Sequence, residues 1–242
     1  MKPEILGNIK FGPYVALMKV HQPLIDGLLQ RAEKKEVGSG NSELASLMSD
    51  QRGYSLEDKR WFVNEFQPYI DSYVEGNCEF LNTTYSEPHW SKSFNLLSLW
   101  INYMKENEYN PAHTHSGMLS WVMYLKTHDI EKERKEYTGR SAGPGATVFH
   151  YGEHSFPQWA THTQSYLPQE GYVWIFPALL RHEVIPFRTP GTRITVSGNL
   201  YFKHPSERSD AEPTPMDSDF KRMPDMERQP SLKPTKKLDD TI

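Results

Sequence analysis

The sequence predicts a mainly β protein of the α+β class, with a sandwich or barrel of short strands after an N-terminal helical part. The second half carries short segments rich in β-branched and aromatic residues, separated by turn sequences such as Gly143-Pro144-Gly145. The first half instead has apolar residues three and four positions apart, as one face of a helix requires. Several short strands at this spacing are typical of a sandwich or barrel.

The N-terminal part is expected to hold one strand and two helices. Apolar alternation over residues 9–20 favours a strand, and Pro23 fits the first position of a helix. Ser55 resembles the N-cap of a second helix, because acidic residues follow it. That helix would bury a mostly aromatic stripe, which is more often core than a ligand site: Trp61, Phe62, Phe66, Tyr69, Ile70, Tyr73 and Val74.

Five strands are expected in the second half of the chain. They cover residues 93–103, 118–125, 146–151, 172–176 and 193–202. The charged segment 126–142 is expected to be a solvated loop, with a lid over a site as the alternative. Trp121 is expected to pack in the core.

The C-terminal segment 204–242 differs in composition from the rest of the chain. It holds six of the 18 prolines, seven basic and nine acidic residues, and few large apolar side chains. Such a segment buries too little apolar surface to offset its chain entropy. We therefore expect one domain over 1–203, with helical support in 1–90 and a β core in 91–203, followed by a disordered tail. A partner-binding role for the tail is the alternative.

Composition excludes several classes of protein. The 242 residues carry a net charge of −4, which argues against a protein that coats nucleic acid. No apolar run approaches the ~18 residues of a membrane span, and the N-terminus lacks a secretory pattern. Cys78 is the single cysteine, so a CxxC metal or redox motif is ruled out. We expect a cytoplasmic protein without a membrane partner.

Three of the ten histidines form a candidate metal site. His113 and His115 lie two residues apart, and side chains at that spacing on an extended segment face the same side. His182 follows 67 residues later, between two expected strands, where a folded-over sheet would bring it to the pair. Imidazole suits Fe(II), zinc and copper, and three protein ligands leave positions open for substrate. Surface or hydrogen-bonded core histidines remain the alternative. His150 is expected to be hydrogen-bonded or solvated, with a place in the pocket as the alternative.

The strand expected after His182 has one polar face that carries an arginine. Arg193, Thr195 and Ser197 alternate to one side of an expected strand, with apolar residues on the other. A guanidinium beside two hydroxyls can bind a carboxylate. The alternative is an arginine paired with an acidic side chain such as Glu170 or Glu183.

Residues 95–202 resemble the 2-oxoglutarate, Fe(II)-dependent oxygenases of the prolyl-hydroxylase-like branch, and in particular a group found in phages and bacteria. The resemblance is carried by Asn-Pro-x-His-x-His at 110–115 and by the stretch 182–196, which begins His-Glu-Val and ends Thr-Arg-Ile-Thr-Val. It implies a double-stranded β-helix, also called a jelly roll. It also implies a hydroxylase that uses Fe(II), 2-oxoglutarate and O2 and releases succinate and CO2, acting on a peptide side chain or a small metabolite. If the protein is phage-encoded, it would work in the host cytoplasm.

The resemblance also implies roles for individual residues. His113 and His182 match metal ligands, and Arg193 matches the basic residue that pairs with the far carboxylate of 2-oxoglutarate. Tyr124 matches a tyrosine that hydrogen-bonds this carboxylate, assisted by Thr195 or Ser197. Tyr103 matches a tyrosine that lines the cosubstrate pocket.

One position departs from the family pattern, because His115 stands where the family usually has Asp or Glu. Three hypotheses follow: His115 is the second of three histidine ligands, or only His113 and His182 bind, or the site has lost iron chemistry. Two functional alternatives also remain. One is a cupin-like metal protein, although the glutamate that cupins carry beyond the pair is missing from 116–121. The other is a non-catalytic barrel that acts as an interaction protein.

Overall fold

The computed structural model describes residues 3–10, 12–35, 47–81, 94–139, 142–152 and 163–202, with the side chains of 5–10 left aside. The described residues form three helices: α1 (Gln22–Ala32), α2 (Leu56–Leu81) and α3 (Ile130–Glu136). They also form eleven strands: β1 (Ile5–Lys10), β2 (Tyr14–Lys19), β3 (Gln51–Gly53), β4 (Phe94–Lys105), β5 (Asn110–His113), β6 (Leu119–Lys126), β7 (Thr147–His150), β8 (Thr163–Tyr166), β9 (Tyr172–Pro177), β10 (Arg181–Val184) and β11 (Thr192–Phe202). The mainly β class is confirmed. The tail at 204–242 lies outside the described residues, and the domain boundary at 203 stays a prediction.

The strands form two antiparallel sheets. The larger has seven strands in the order β1-β2-β9-β6-β11-β4-β3, and the smaller has four in the order β5-β10-β7-β8. From β4 onward, successive strands alternate between the sheets, except that β8 follows β7 in the smaller sheet. Residues distant in sequence therefore become neighbours, and β10 lies between β5 and β7.

Helix α2 covers one face of the seven-stranded sheet, which we call the helix face. Its N-terminus is a capping box, in which Ser55 Oγ accepts from the Asp58 backbone N–H and the Asp58 carboxylate accepts from the Ser55 N–H. The predicted aromatic stripe is confirmed as core. Phe62 stacks on Trp121 of β6 with ring centroids 5.6 Å apart, and Phe66 contacts the same indole at 4.9 Å. Trp121 is fully buried, as expected.

The opposite face of the same sheet, which we call the site face, carries polar side chains from its central strands. Alternation sends Ile194 and Val196 of β11 into the helix-face core, so Arg193 and Thr195 lie on the site face. Both are buried, with 3% and 6% exposure. Polar residues on a buried face are uncommon, which directs attention to what they contact.

Several expected elements need correction. The single strand predicted over 9–20 is a hairpin of β1 and β2, because the chain turns at Gly12 with a positive φ of 82°. The expected loop at 126–142 contains α3, capped by Asp129, whose side chain accepts from the Lys132 N–H. His182 was expected in the connection between two strands, but it lies within a strand of its own, β10. No helix among the described residues is long and apolar enough to span a membrane.

Candidate metal and cosubstrate site

The three candidate histidines meet at the edge of the smaller sheet. Strand β10 pairs with β5 so that His182 lies directly opposite His113. Their ring centroids are 4.3 Å apart, and the ring of His115 lies 4.7 Å from His113 and 5.0 Å from His182. One nitrogen from each of the three rings falls within 4.8 Å of the others, so a single ion could contact all three.

His115 reaches this cluster from outside a strand. Strand β5 ends at His113, so His115 lies two residues beyond the end of the strand. Its backbone N–H donates to Ala178 O at 2.9 Å, which fixes this turn against the segment before β10. Its ring lies 5.8 Å from the ring of Trp100 on the site face.

Backbone carbonyls fix the tautomers of two of the rings. Nδ1 of His113 lies 2.6 Å from Pro111 O, and Nδ1 of His182 lies 2.8 Å from Leu180 O. A carbonyl oxygen only accepts, so each Nδ1 carries the proton and each Nε2 keeps its lone pair. Histidines that bind metals are commonly oriented by this kind of second hydrogen bond.

Burial keeps the three imidazoles neutral. Desolvation, reinforced by His113, lowers the pKa of His182 to about 3 and that of His115 to about 4. Burial also lowers the pKa of His113, against the opposing hydrogen bond to Pro111. Only neutral imidazole binds a metal, so protons do not compete for these nitrogens near neutral pH. Three borderline nitrogen donors with neutral charge fit Fe(II), zinc or copper.

Arg193 is a buried cation without a carboxylate partner among the described residues. Its Nη1 donates to Gly145 O at 2.7 Å, its Nη2 contacts Met104 Sδ, and its Nε has no hydrogen-bond partner. Burial lowers its pKa, and Tyr124 opposes that shift. A buried charge is costly unless it is paired, so this guanidinium fits a site that receives an anion.

The acidic partners suggested for Arg193 are engaged elsewhere. The Glu183 carboxylate lies 3.0 Å from His150 Nε2, and the Glu170 carboxylate accepts from the Thr127 backbone N–H. Phe149 lies opposite His182, on the face of the smaller sheet that carries the cluster. Its neighbour His150 therefore lies on the outer face of that sheet. His150 is thus a hydrogen-bonded histidine outside the pocket, as expected, and the alternative that it faces the pocket is wrong.

Tyr124 joins the two sheets beside Arg193. It lies opposite Thr195 on the site face, and its hydroxyl is 2.6 Å from Thr147 Oγ1 on β7 of the smaller sheet. Burial raises its pKa, so it stays protonated and able to donate. The structure therefore brings Tyr124 to the same face as Arg193, Thr195 and Ser197, whose alternation to one side of a strand was expected; their roles toward a cosubstrate stay predictions.

Tyr103 lies on the other side of the sheet. It is paired with Ile194, packs against the helix-face core, and carries the Arg52 guanidinium 4.3 Å from its ring centroid. Strand alternation gives the inner position to its neighbours Asn102 and Met104 instead. The expectation that Tyr103 lines the cosubstrate pocket is wrong.

Sequence reasoning missed Gln51, Asn102 and Thr147, all buried polar residues on these faces. Gln51 Nε2 donates to Asn102 Oδ1 at 2.6 Å, which joins β3 to β4. No motif marks them. The one available signal was strand alternation in β4. It puts Asn102 on the same face as Trp100 and Met104, opposite the face of Ile101 and Tyr103.

Comparisons with known proteins give a family and several distant structures. Residues 98–199 match the model of a family described as putative 2OG-Fe(II) oxygenases. The matched range includes all three histidines and Arg193, and it leaves out β1 to β3 and both N-terminal helices. A search of curated protein sequences found no match.

Three solved structures illustrate the structural similarity. A viral collagen prolyl hydroxylase from Paramecium Bursaria Chlorella virus-1 aligns with a TM-score of 0.48 at 14% identity, over 78% of this chain and 96% of that one. A prolyl-4-hydroxylase from Pseudomonas putida gives 0.46 at 11%, over 78% and 92%. HygX from Streptomyces hygroscopicus, with nickel and 2-oxoglutarate bound, gives 0.48 at 10%, over 77% and 82%.

Proposed function

We propose, from the premise that this chain belongs to the 2-oxoglutarate- and Fe(II)-dependent oxygenases, that it hydroxylates a peptide side chain or a small metabolite. Fe(II) is its cofactor, and 2-oxoglutarate and O2 are its cosubstrates. The proposed products are the hydroxylated substrate, succinate and CO2. Membership of this family favours an oxygenase over the cupin-like and non-catalytic alternatives.

We also propose that the core is a double-stranded β-helix. The strand order supports it: counted from β4 as the first of eight, the sheets read 1-8-3-6 and 2-7-4-5 once the N-terminal strands are set aside. Strands that alternate between two facing antiparallel sheets in this way are typical of a jelly roll. The prolyl-hydroxylase-like branch remains part of this proposal, resting on the motifs at 110–115 and 182–196.

The proposed iron ligands are His113, His115 and His182, and the cluster of three ring nitrogens within 4.8 Å is the observation that carries the proposal. Bound iron would activate O2, which protein side chains cannot do alone. The carbonyls of Pro111 and Leu180 hold two rings with Nε2 directed into the cluster. Neutral ligands give the site one more unit of positive charge than the usual carboxylate would.

Arg193 is proposed to bind the far carboxylate of 2-oxoglutarate. A guanidinium pairs with a carboxylate through two parallel hydrogen bonds, and the buried setting removes competition from water. Tyr124 is proposed to act beside it as a neutral donor, and Thr195 and Ser197 offer hydroxyls on the same face. These residues bind and orient the cosubstrate, and the surrounding core excludes water.

The substrate is proposed to be something other than nucleic acid, because the net charge is −4 and the sequence has no basic stripe. A cytoplasmic location is proposed as well, in keeping with the single, buried Cys78.

The test is anaerobic reconstitution with Fe(II), followed by 2-oxoglutarate and then O2. We expect a weak visible charge-transfer band on adding 2-oxoglutarate, and succinate on admitting O2 even without the primary substrate. His182→Ala should lose both signals, whereas His150→Ala, a histidine on the outer face of the neighbouring strand, should keep them. Iron binding without a band or succinate would refute the proposal.

A further inference from the structure

A row of four buried polar side chains crosses the site face from one edge strand to the centre of the sheet. Its members, each directly opposite the next, are Gln51, Asn102, Thr195 and Tyr124. Their exposures are 2%, 5%, 6% and 1%. Buried polar groups are retained where their hydrogen bonds are satisfied, so the direction of each bond in the row matters.

The bonds at the outer end of this row run in one direction. Gln51 Nε2 donates to Asn102 Oδ1 at 2.6 Å. The carbonyl oxygen of Asn102 is therefore turned toward β3, and its amide nitrogen toward β11. That nitrogen donates to Thr195 Oγ1 at 3.1 Å and lies 3.5 Å from Ser197 Oγ.

Thr195 is thereby an acceptor on its Asn102 side. A hydroxyl has one proton to donate, and Asn102 Nδ2 cannot take it. Across the described ranges, no side chain or carbonyl accepts this proton. Thr195 lies two residues from Arg193 on the same strand and the same face, so the unused donor is next to the buried cation.

We propose that Gln51 and Asn102 are positioning residues that hold Thr195 as a hydrogen-bond donor to the far carboxylate of 2-oxoglutarate. The inference rests on the proposed function, because Arg193 must bind that carboxylate for the hydroxyl to reach it. Gln51 comes from β3, outside the range that matches the family.

The reverse orientation would work against binding. If the Asn102 amide turned over, its Oδ1 would take the Thr195 proton, and the hydroxyl would offer only lone pairs to a carboxylate. Gln51→Glu reverses the Asn102 amide when the new carboxyl is ionised, because a carboxylate has no proton to donate and instead attracts Asn102 Nδ2. Gln51→Met removes the donor without adding charge, so Asn102 can adopt both orientations.

The test is an anaerobic titration of 2-oxoglutarate into the Fe(II)-loaded protein, which gives its dissociation constant directly. Gln51→Glu should raise that constant roughly ten- to a hundredfold, the size expected for a lost hydrogen bond to a charged group. Gln51→Met should raise it less, in the same direction. In turnover, KM for 2-oxoglutarate should rise with kcat nearly unchanged, and Fe(II) affinity should stay at the wild-type value.

Repeating the titration in a Thr195→Val background tests whether Gln51 acts through the Thr195 hydroxyl or through a general effect of charge or packing. Without the hydroxyl, Gln51→Glu should change the constant less than about twofold. Gln22→Glu, the same replacement at an exposed position of α1, should have no effect. Equal shifts in both backgrounds, or an unchanged constant in Gln51→Met, would overturn the inference. Failure of the wild-type protein to bind 2-oxoglutarate would instead overturn the proposed function.

Discussion

Replacing Arg193 with methionine should separate cosubstrate binding from stability. The guanidinium is buried, and no described carboxylate pairs with it. Truncating one partner of a buried charge pair costs about 2–5 kcal/mol. At about 1.4 kcal/mol per tenfold, the dissociation constant of 2-oxoglutarate should rise about 30-fold or more. Fe(II) affinity should be unaffected, because the ligand nitrogens belong to β5, to β10 and to the segment that follows β5.

The same substitution should not destabilise the metal-free protein. It removes two hydrogen bonds, to Gly145 O and Met104 Sδ, each worth about 1 kcal/mol. It also removes a buried charge whose desolvation costs several kcal/mol. The free energy of unfolding should therefore stay the same or increase, opposite in sign to the loss of binding.

The assay is a urea melt of the metal-free protein beside the anaerobic 2-oxoglutarate titration. Arg181→Met, an exposed arginine on the outer face of β10, is the matched control and should change neither quantity. An unchanged dissociation constant in Arg193→Met would mean that another residue holds the carboxylate. A large loss of stability would make Arg193 a structural residue and refute the reasoning.

Three further predictions concern the ligands and the core. His115→Ala should abolish tight Fe(II) binding if three histidines form the site, whereas unchanged iron affinity in dialysis would support the two-histidine hypothesis. Gly198→Ala should lower the free energy of unfolding by about 1–3 kcal/mol in urea melts, because its Cβ would lie 2.2 Å from Trp121. In the folded protein the pKa of His115 is about 4 and that of His182 is about 3, so the unfolded chain binds more protons than the folded protein below about pH 6.5. The free energy of unfolding of the metal-free protein should therefore fall as the pH drops from about 6.5 toward 4. An unchanged free energy of unfolding in urea melts across that range would contradict this prediction.

The sequence by itself determined five of the eleven strands that the structure describes, and it singled out the histidines and the arginine of the candidate site. All five strands expected in the second half are present within about two residues of the predicted ends. The aromatic stripe of α2 was readable because a 3.6-residue period leaves one consistent set of buried positions. His113, His182 and Arg193 were readable because side chains of these types, in these motifs, are expensive to bury without a function.

Only the tertiary structure decided which residues meet and which face they share. Both faces of β4 are buried, so the hydropathy of the strand did not show which of Tyr103 and Asn102 lies on the site face. The register with β11 shows that it is Asn102, because Asn102 lies opposite Thr195 and Tyr103 opposite Ile194. The His182–His113 pair forms because β10 lies beside β5, a neighbour relation that spans 69 residues of sequence. Gln51 meets Asn102 for the same reason: strand pairing is non-local, and local residue patterns carry no record of the partner strand.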